Sequence, residues 1–251
     1  MILRRMGNKS QIADKIQKYF PRHRLYAEPF FGAGGMYFNK PKARYNIMND
    51  LDADVFNFWL MVSTRKDELE EEIKNMPVHS ALLEYWKKNK ETEPLRQALR
   101  FIFISNCTFM GAGASITFGT ENPKQIIKDR LNQTFEAIKD VQFSNCDFRK
   151  FFDILRERNS DDTFIYCDPP YLGTDDNYSH SFTEQDSSDL FDLLTASGCK
   201  WAMSEFDNEF ILKQANDRGL NTIIIGERGN LKNFRTEVLV TNYAKPATLF
   251  D

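Results

Sequence analysis

Apolar positions along this chain recur with two periods that take turns. Ile12, Ile16 and Phe20 share one helical face, and Pro21, which has no N–H for the next turn, ends that helix. LYAEPFFGAGGMYFN (25–39) reads as a strand, a glycine-rich turn and a helix. YNIMNDLDADVFNFWLMV (45–62) reads as a second strand ending at Asn49-Asp50, then a helix. From about residue 67 to 140 the texture changes. KDELEEEIKNM (66–76), SALLEYWKKNK (80–90) and PLRQALRFIFISN (94–106) carry helical patterns, and TFMGAGASITFGTENP (108–123) is rich in small and turn residues, as in a long loop or hairpin.

The alternation then resumes. VQFSNCD (141–147) is a strand, RKFFDILRER (149–158) a helix and TFIYCD (163–168) a short apolar strand. A helix follows over 184–198, with Thr183 as its N-cap and Gly198 past its end. KWAMSEF (200–206), NTIIIGE (221–227) and EVLVTNY (237–243) complete a set of seven strands. Strands with helices between most of them predict an α/β fold, a doubly wound and mostly parallel sheet. The last two strands lack a helical pattern between them and fit an antiparallel pair at one edge. Residues 61–137 are expected to be an inserted, mainly helical module within a domain built from residues 1–60 and 138–251.

Composition narrows the classes. The 251 residues suffice for a sizeable core, with 41% hydrophobic and 27% charged residues, as in soluble globular chains. No apolar run reaches the roughly 18–20 residues of a membrane span. The N-terminus carries charge without a following apolar stretch, so a cytoplasmic location is expected. Cys107, Cys146, Cys167 and Cys199 lie far apart, and His23, His79 and His180 have no ligand spacing, so no metal is expected. The net charge of −3 argues mildly against a nucleic-acid partner. Its distribution argues the other way: Arg4, Arg5, Lys9, Lys15, Lys18, Arg22 and Arg24 face one acid, Asp14, and Arg228, Lys232 and Arg235 form a second basic cluster.

Two stretches carry candidate chemistry. In Glu28-Pro-Phe-Phe-Gly-Ala-Gly-Gly35 the glycines allow a tight turn after the first strand and close approach of a ligand, and Asp50 ends the next strand, where a carboxylate can bind ribose hydroxyls. Together they suggest an adenosine-type cofactor; the plain alternative is a structural turn and a surface aspartate. Asp168-Pro-Pro-Tyr171 ends a later strand, and ligands of open α/β sheets bind at such ends. The Asp168 carboxylate and the carbonyl of Pro169, whose φ is fixed, are two acceptors, and Tyr171 is a flat ring for stacking. Two acceptors and a ring suit an exocyclic amine on a planar heterocycle.

The order of RRMGNKS (4–10), EPFFGAGG (28–35), NDLDADV (49–55), NCDF (145–148), DPPYLGT (168–174) and RTEVLVTNY (235–243), with the insert before the catalytic motif, resembles the Dam-type (alpha-class, D12) family of DNA adenine-N6 methyltransferases over nearly the whole chain. The resemblance implies a Rossmann-like S-adenosylmethionine-dependent methyltransferase fold. It implies S-adenosylmethionine as cofactor, S-adenosylhomocysteine as product, and a flipped adenine of double-stranded DNA as substrate. Carried over by position, Phe30, Gly32, Gly34 and Glu28 shape the methionine side of the cofactor pocket and Asp50 binds the ribose. Asp147 accepts from the cofactor's adenine, Phe148 packs nearby, and Met6 and Lys9 lie in a loop that closes over the cofactor. Asp168, Pro169 and Tyr171 become the catalytic set, with the loop LGTDDNYSHSF (172–182) closing over the base. The insert is expected to read DNA through Arg96, Arg100, Lys124, Lys128 and Arg130, with Arg235 beside them. Cytosine-N4 methylation of DNA, adenine-N6 methylation of RNA and a catalytically silent DNA-binding homologue remain as alternatives. A monomer and an association with a restriction system both stay open.

Overall fold

The computed structural model describes residues 2–4, 8–117, 119, 122–156, 158, 160–173, 182–229 and 234–244. Its sheet is formed by β1 (Leu25–Glu28), β2 (Tyr45–Asn49), β3 (Gln142–Ser144), β4 (Thr163–Cys167), β5 (Lys200–Phe206), β6 (Asn221–Gly229) and β7 (Phe234–Thr241), in the order β3-β2-β1-β4-β5-β7-β6. β1 to β5 run parallel, with Ala27 opposite both Ile47 and Ile165, and β7 lies antiparallel between β5 and β6. The chain steps outward from β1 to β3, then returns to lay β4 on the other side of β1. That reversal opens a crevice between the carboxyl ends of β1 and β4.

All four residues of β1 and all five of β4 are buried, as expected for central strands covered on both faces. Successive side chains alternate between faces. Tyr26, Phe164 and Tyr166 join one core, with α1 (Ala13–Gln17) and α2 (Ala53–Thr64); Ala27, Ile165 and Cys167 join the other, with α7 (Phe148–Leu155), α8 (Glu184–Ala196) and α9 (Glu209–Asp217). Thr183 caps α8 in a reciprocal capping box with Asp186, and Gly198 follows the helix with φ +66°.

Two local expectations shift. The helix expected after the glycine turn shrinks to a 3-10 turn, Tyr37–Asn39. Pro41 forces Lys40 into extended backbone (φ −117°, ψ 157°), so no further helical turn can form. α9, capped by the side chain of Asn208, is a helix that no apolar period singles out.

The helical block comprises α3 (Lys66–Asn75), α4 (Ser80–Lys88), α5 (Pro94–Cys107) and α6 (Pro123–Ile138). Leu69, Ile73, Leu83, Trp86, Leu99, Phe103, Ile127 and Leu131 belong to the same core as Tyr26 and Phe164. The boundary placed after residue 60 falls inside α2, so the block is continuous with one face of the sheet. Within 108–123, Thr108 and Ile116 form a single antiparallel bridge, and Phe118, Thr120 and Glu121 lie outside the described residues. The N-terminal segment is fastened to α5: the Ser105 hydroxyl accepts from Arg4 N (2.8 Å) and donates to Arg4 O (2.9 Å), and the Asn106 amide donates to Ile2 O at 3.0 Å.

Candidate active site

A cavity of about 290 Å³ opens at the crevice, lined from the ends of β1, β2 and β4 and the start of α7. The glycine turn shapes its floor. Gly32 has φ +51°, a conformation glycine adopts without strain, and the space where a Cβ would stand is open. Its N–H donates to Asp50 Oδ2 at 2.6 Å, and Asp50 Oδ1 accepts from Asp52 N at 2.9 Å. Two backbone donors thus orient the carboxylate, which retains capacity for a ligand's hydroxyls. Gly34 differs from the expectation. It is not part of the cavity wall; a side chain there would collide with the rings of Phe38 and Phe31, so its task is packing. Gly35, not singled out by the sequence, lines the cavity, and a Cβ on it would run into Asn8 and the backbone of Lys9.

Glu28, Phe30, Gly32, Asp50, Asp147, Phe148 and Asp168 line the same cavity, together with Lys9. Met6 lies outside the described residues, as do 174–181 of the loop expected to close over a base. Asp147 caps α7, accepting from Arg149 N at 2.8 Å, and the Arg149 guanidinium reaches Asp186 (2.7 Å) and Asp189 (2.6 Å) on α8. Phe30, Phe148 and Phe182 form an aromatic wall, with centroids 5.6–6.0 Å apart. Asn49 ties the ends of β1, β2 and β3 together: its amide donates to Pro29 O and Cys146 O, and its oxygen accepts from Ser144 Oγ and Cys146 N.

Charge is buried beside the Asp-Pro-Pro-Tyr strand end. Lys9, only 3% exposed, places Nζ 2.8 Å from Asp168 Oδ1 and 3.6 Å from Glu237 Oε1. The same Nζ lies 4.5 Å from the centroid of the Tyr171 ring, whose hydroxyl donates to Glu237 Oε1 at 2.7 Å. Phe206 meets Tyr171 edge to face at 4.6 Å. Loss of water around the Tyr171 hydroxyl, with Asp168 and Glu237 nearby, pushes it well above the ordinary phenol range. Lys9 therefore engages the Asp-Pro-Pro-Tyr turn directly, beyond the cofactor-covering place expected of it.

Two further acids surround this cluster. Burial pushes Glu28 up to about 8, although Tyr26 donates to it at 2.6 Å. Burial likewise pushes Glu205 up to about 8; its oxygens accept from Leu172 N (3.2 Å) and Phe206 N (2.8 Å) and so hold the turn after Tyr171. The sequence reading passed over Glu205 and Glu237. Their signal was an acid inside an otherwise apolar strand, a residue type almost never fully buried unless paired.

The basic residues expected on DNA divide. Arg235 sits near the site, donating to Gly173 O at 3.3 Å and lying 5.5 Å from the Phe206 ring. Arg96 pairs with Glu72 (2.9 Å), Arg100 donates to Trp86 O (3.1 Å), Lys124 donates to Lys74 O and Met76 O, and Lys128 lies 3.5 Å from Glu70. These four tie the helices of the insert to one another. Arg130 lies on α6.

Comparison with known proteins gives a consistent pattern. The model of the D12 class N6 adenine-specific DNA methyltransferase family matches residues 6–233. A DNA adenine methylase of Haemophilus influenzae is 29% identical over 185 residues, which are 66% of this chain and 61% of that protein. The chain thus spans about three fifths of that relative's length. A DNA adenine methylase of Vibrio cholerae is 26% identical over 237 residues, 87% of this chain and 78% of the relative. That of Escherichia coli is 25% identical over 206 residues, 74% and 72% of the two chains. Among solved structures, an rRNA methyltransferase from Streptomyces viridochromogenes overlays with a TM-score of 0.42 at 13% identity, covering 92% of this chain and 82% of that one.

Proposed function

The chain belongs to the D12 class of N6 adenine-specific DNA methyltransferases, and we propose that it methylates the N6 amino group of an adenine turned out of duplex DNA, with S-adenosylmethionine as donor. The observation that carries this reading is one cavity lined both by the groups around Gly32 and by Asp168. The lining near Gly32 suits a nucleoside with a cationic tail: Asp50 for the ribose, Asp147 for a base amine, the Phe30–Phe148–Phe182 wall for the ring, and Glu28 near the tail. Asp168 lines the same space. When bound, S-adenosylmethionine supplies an electrophilic sulfonium methyl group.

The protein's task is to aim an amine. The adenine nitrogen is a poor nucleophile because its lone pair is delocalised into the ring. Asp168 and the Pro169 carbonyl accept its two N–H groups, which favours a pyramidal nitrogen with a localised pair. Both acceptors also face the positive charge that grows on nitrogen as it is alkylated. Lys9 bonds Asp168 Oδ1 and keeps that carboxylate in place, with its remaining lone pairs offered to the amine. Turning the base out costs a few kcal/mol, and stacking on Tyr171 offsets about 1–3 kcal/mol of it. The insert faces the DNA, presenting exposed Phe109 and Met110 on the loop after α5.

The test is direct. The purified protein is incubated with methyl-labelled S-adenosylmethionine and unmodified duplex DNA, and the DNA is digested to nucleosides for mass spectrometry. Label in N6-methyldeoxyadenosine is expected. Label in N4-methyldeoxycytidine would transfer the same geometry to another base, and bound cofactor without labelled DNA would overturn the reading.

A further inference from the structure

We infer that Glu237 is a positioning residue for this reaction: from β7 it fixes the Tyr171 ring by its hydroxyl and, through Lys9, the carboxylate of Asp168. The inference rests on the reaction proposed above. Glu237 lies within RTEVLVTNY, and it is fully buried in the sheet. Removing a carboxylate from water is costly unless it is paired and hydrogen-bonded, so its place is set by partners. Those partners belong to the reaction. Tyr171 donates to Oε1 at 2.7 Å, and Lys9 Nζ, 3.6 Å away, is also 2.8 Å from Asp168.

The geometry explains why β7 should provide this anchor. Asp168 and Tyr171 belong to a turn that follows β4, and Lys9 to a 3-10 turn, Lys9–Gln11, so none of the three has a ladder to hold it. Glu237 lies opposite Phe206 in the β5–β7 pairing, and Phe206 packs its ring against Tyr171. The Tyr171 ring is therefore held at two points of one antiparallel ladder, by its hydroxyl on Glu237 and by its T-shaped contact with Phe206. The lysine is drawn from two sides by carboxylates, which fixes Nζ over the ring. Two χ angles of a tyrosine and four of a lysine are immobilised before substrate arrives, and such pre-organisation acts on the chemical step rather than on cofactor affinity.

Four variants, Glu237→Gln, Glu237→Ala, Tyr171→Phe and the Ala/Phe double variant, test this by single-turnover methylation at saturating cofactor and DNA, beside titration with S-adenosylhomocysteine. Glu237→Ala is expected to lower the rate at least about tenfold, Glu237→Gln less because its amide oxygen still accepts from Tyr171, with product affinity within about twofold of the parent. Tyr171→Phe is expected to cost about fivefold in the parent and clearly less in the Glu237→Ala background, because the bond from the hydroxyl to Glu237 is already gone. Parental rates in either glutamate variant, equal Tyr171→Phe losses in both backgrounds, or a fall in product affinity matching the fall in rate would each overturn the assignment. Should Glu237→Ala fail to fold, a parental rate in Tyr171→Phe overturns it alone. Failure of the parent protein to methylate adenine would instead remove the underlying reading.

Discussion

The two halves of the cavity are built differently. In the half assigned to the cofactor, two carboxylates are held by backbone N–H groups of the strand-end turns: Asp50 by Asp52 and, across the β1–β2 pair, by Gly32, and Asp147 by Arg149. In the half assigned to the target base, carboxylates are held by side chains from three distant segments, with Lys9 at the centre of Asp168, Glu237 and Tyr171. The first half is a set of turns that carry their own geometry. The second exists only when the whole sheet is assembled. Binding and chemistry should therefore fail separately when each half is damaged.

The sharpest break is Asp168→Ala. It should lower the methylation rate on the order of a thousandfold or more, by analogy with removing one preorganised electrostatic group, while S-adenosylhomocysteine titration shows affinity close to the parent. Asp50→Ala should do the reverse, weakening cofactor about tenfold, as loss of a hydrogen bond to a charged group does, with the rate at saturation retained. If the two variants failed alike, the division into halves would be wrong. Gly35→Ala crosses the divide: a methyl group there displaces Asn8 and Lys9, and the rate should fall about tenfold through misplacement of the lysine.

A smaller effect separates the halves by pH. Glu28, raised to about 8 in the folded protein from an ordinary value of 4.5, keeps its proton when the unfolded chain has already lost it. Folding stability should therefore fall as pH rises from about 4.5 to about 8, then level off. Glu205 adds the same slope, and Glu28→Gln should remove only its own share, seen as a smaller difference in melting temperature between pH 5 and pH 8. The least effect is expected at Arg96→Ala. Its partners are partly exposed acids of the insert, so stability should drop by less than about 1 kcal/mol, with the salt dependence of DNA binding unchanged.

The same division governs what the sequence revealed. The seven strands, the edge pair and the Thr183 cap follow from period and turn chemistry, which are local. So do Gly32 and Asp50, since a glycine after one strand and an acid after the next meet by topology alone. A glycine run does not say which member lines the cavity and which, like Gly34, packs against Phe38. The partners of Arg96, Arg100 and Lys124 within the insert, Glu72 and backbone carbonyls, were not legible because they are neighbours only in space. Lys9, Glu205 and Glu237 are the clearest case: a charge in a loop or an apolar strand becomes a cluster only through packing that no window of sequence contains.

β7 sits between β5 and β6, so the order of the sheet is not the order of synthesis. While a chain is being made, Lys9 leaves the ribosome long before Asp168, and Glu237 comes later still. The tips of β1, β2, β3 and β4 are present before then, and with them the turns around Asp50 and Asp147. A nascent chain that has reached β6 owns the cofactor half in full, but β5 still has an open edge and Lys9 has one carboxylate rather than two. Placing the final carboxylate on a strand that enters the sheet between two others makes completion of the catalytic cluster coincide with closure of the sheet.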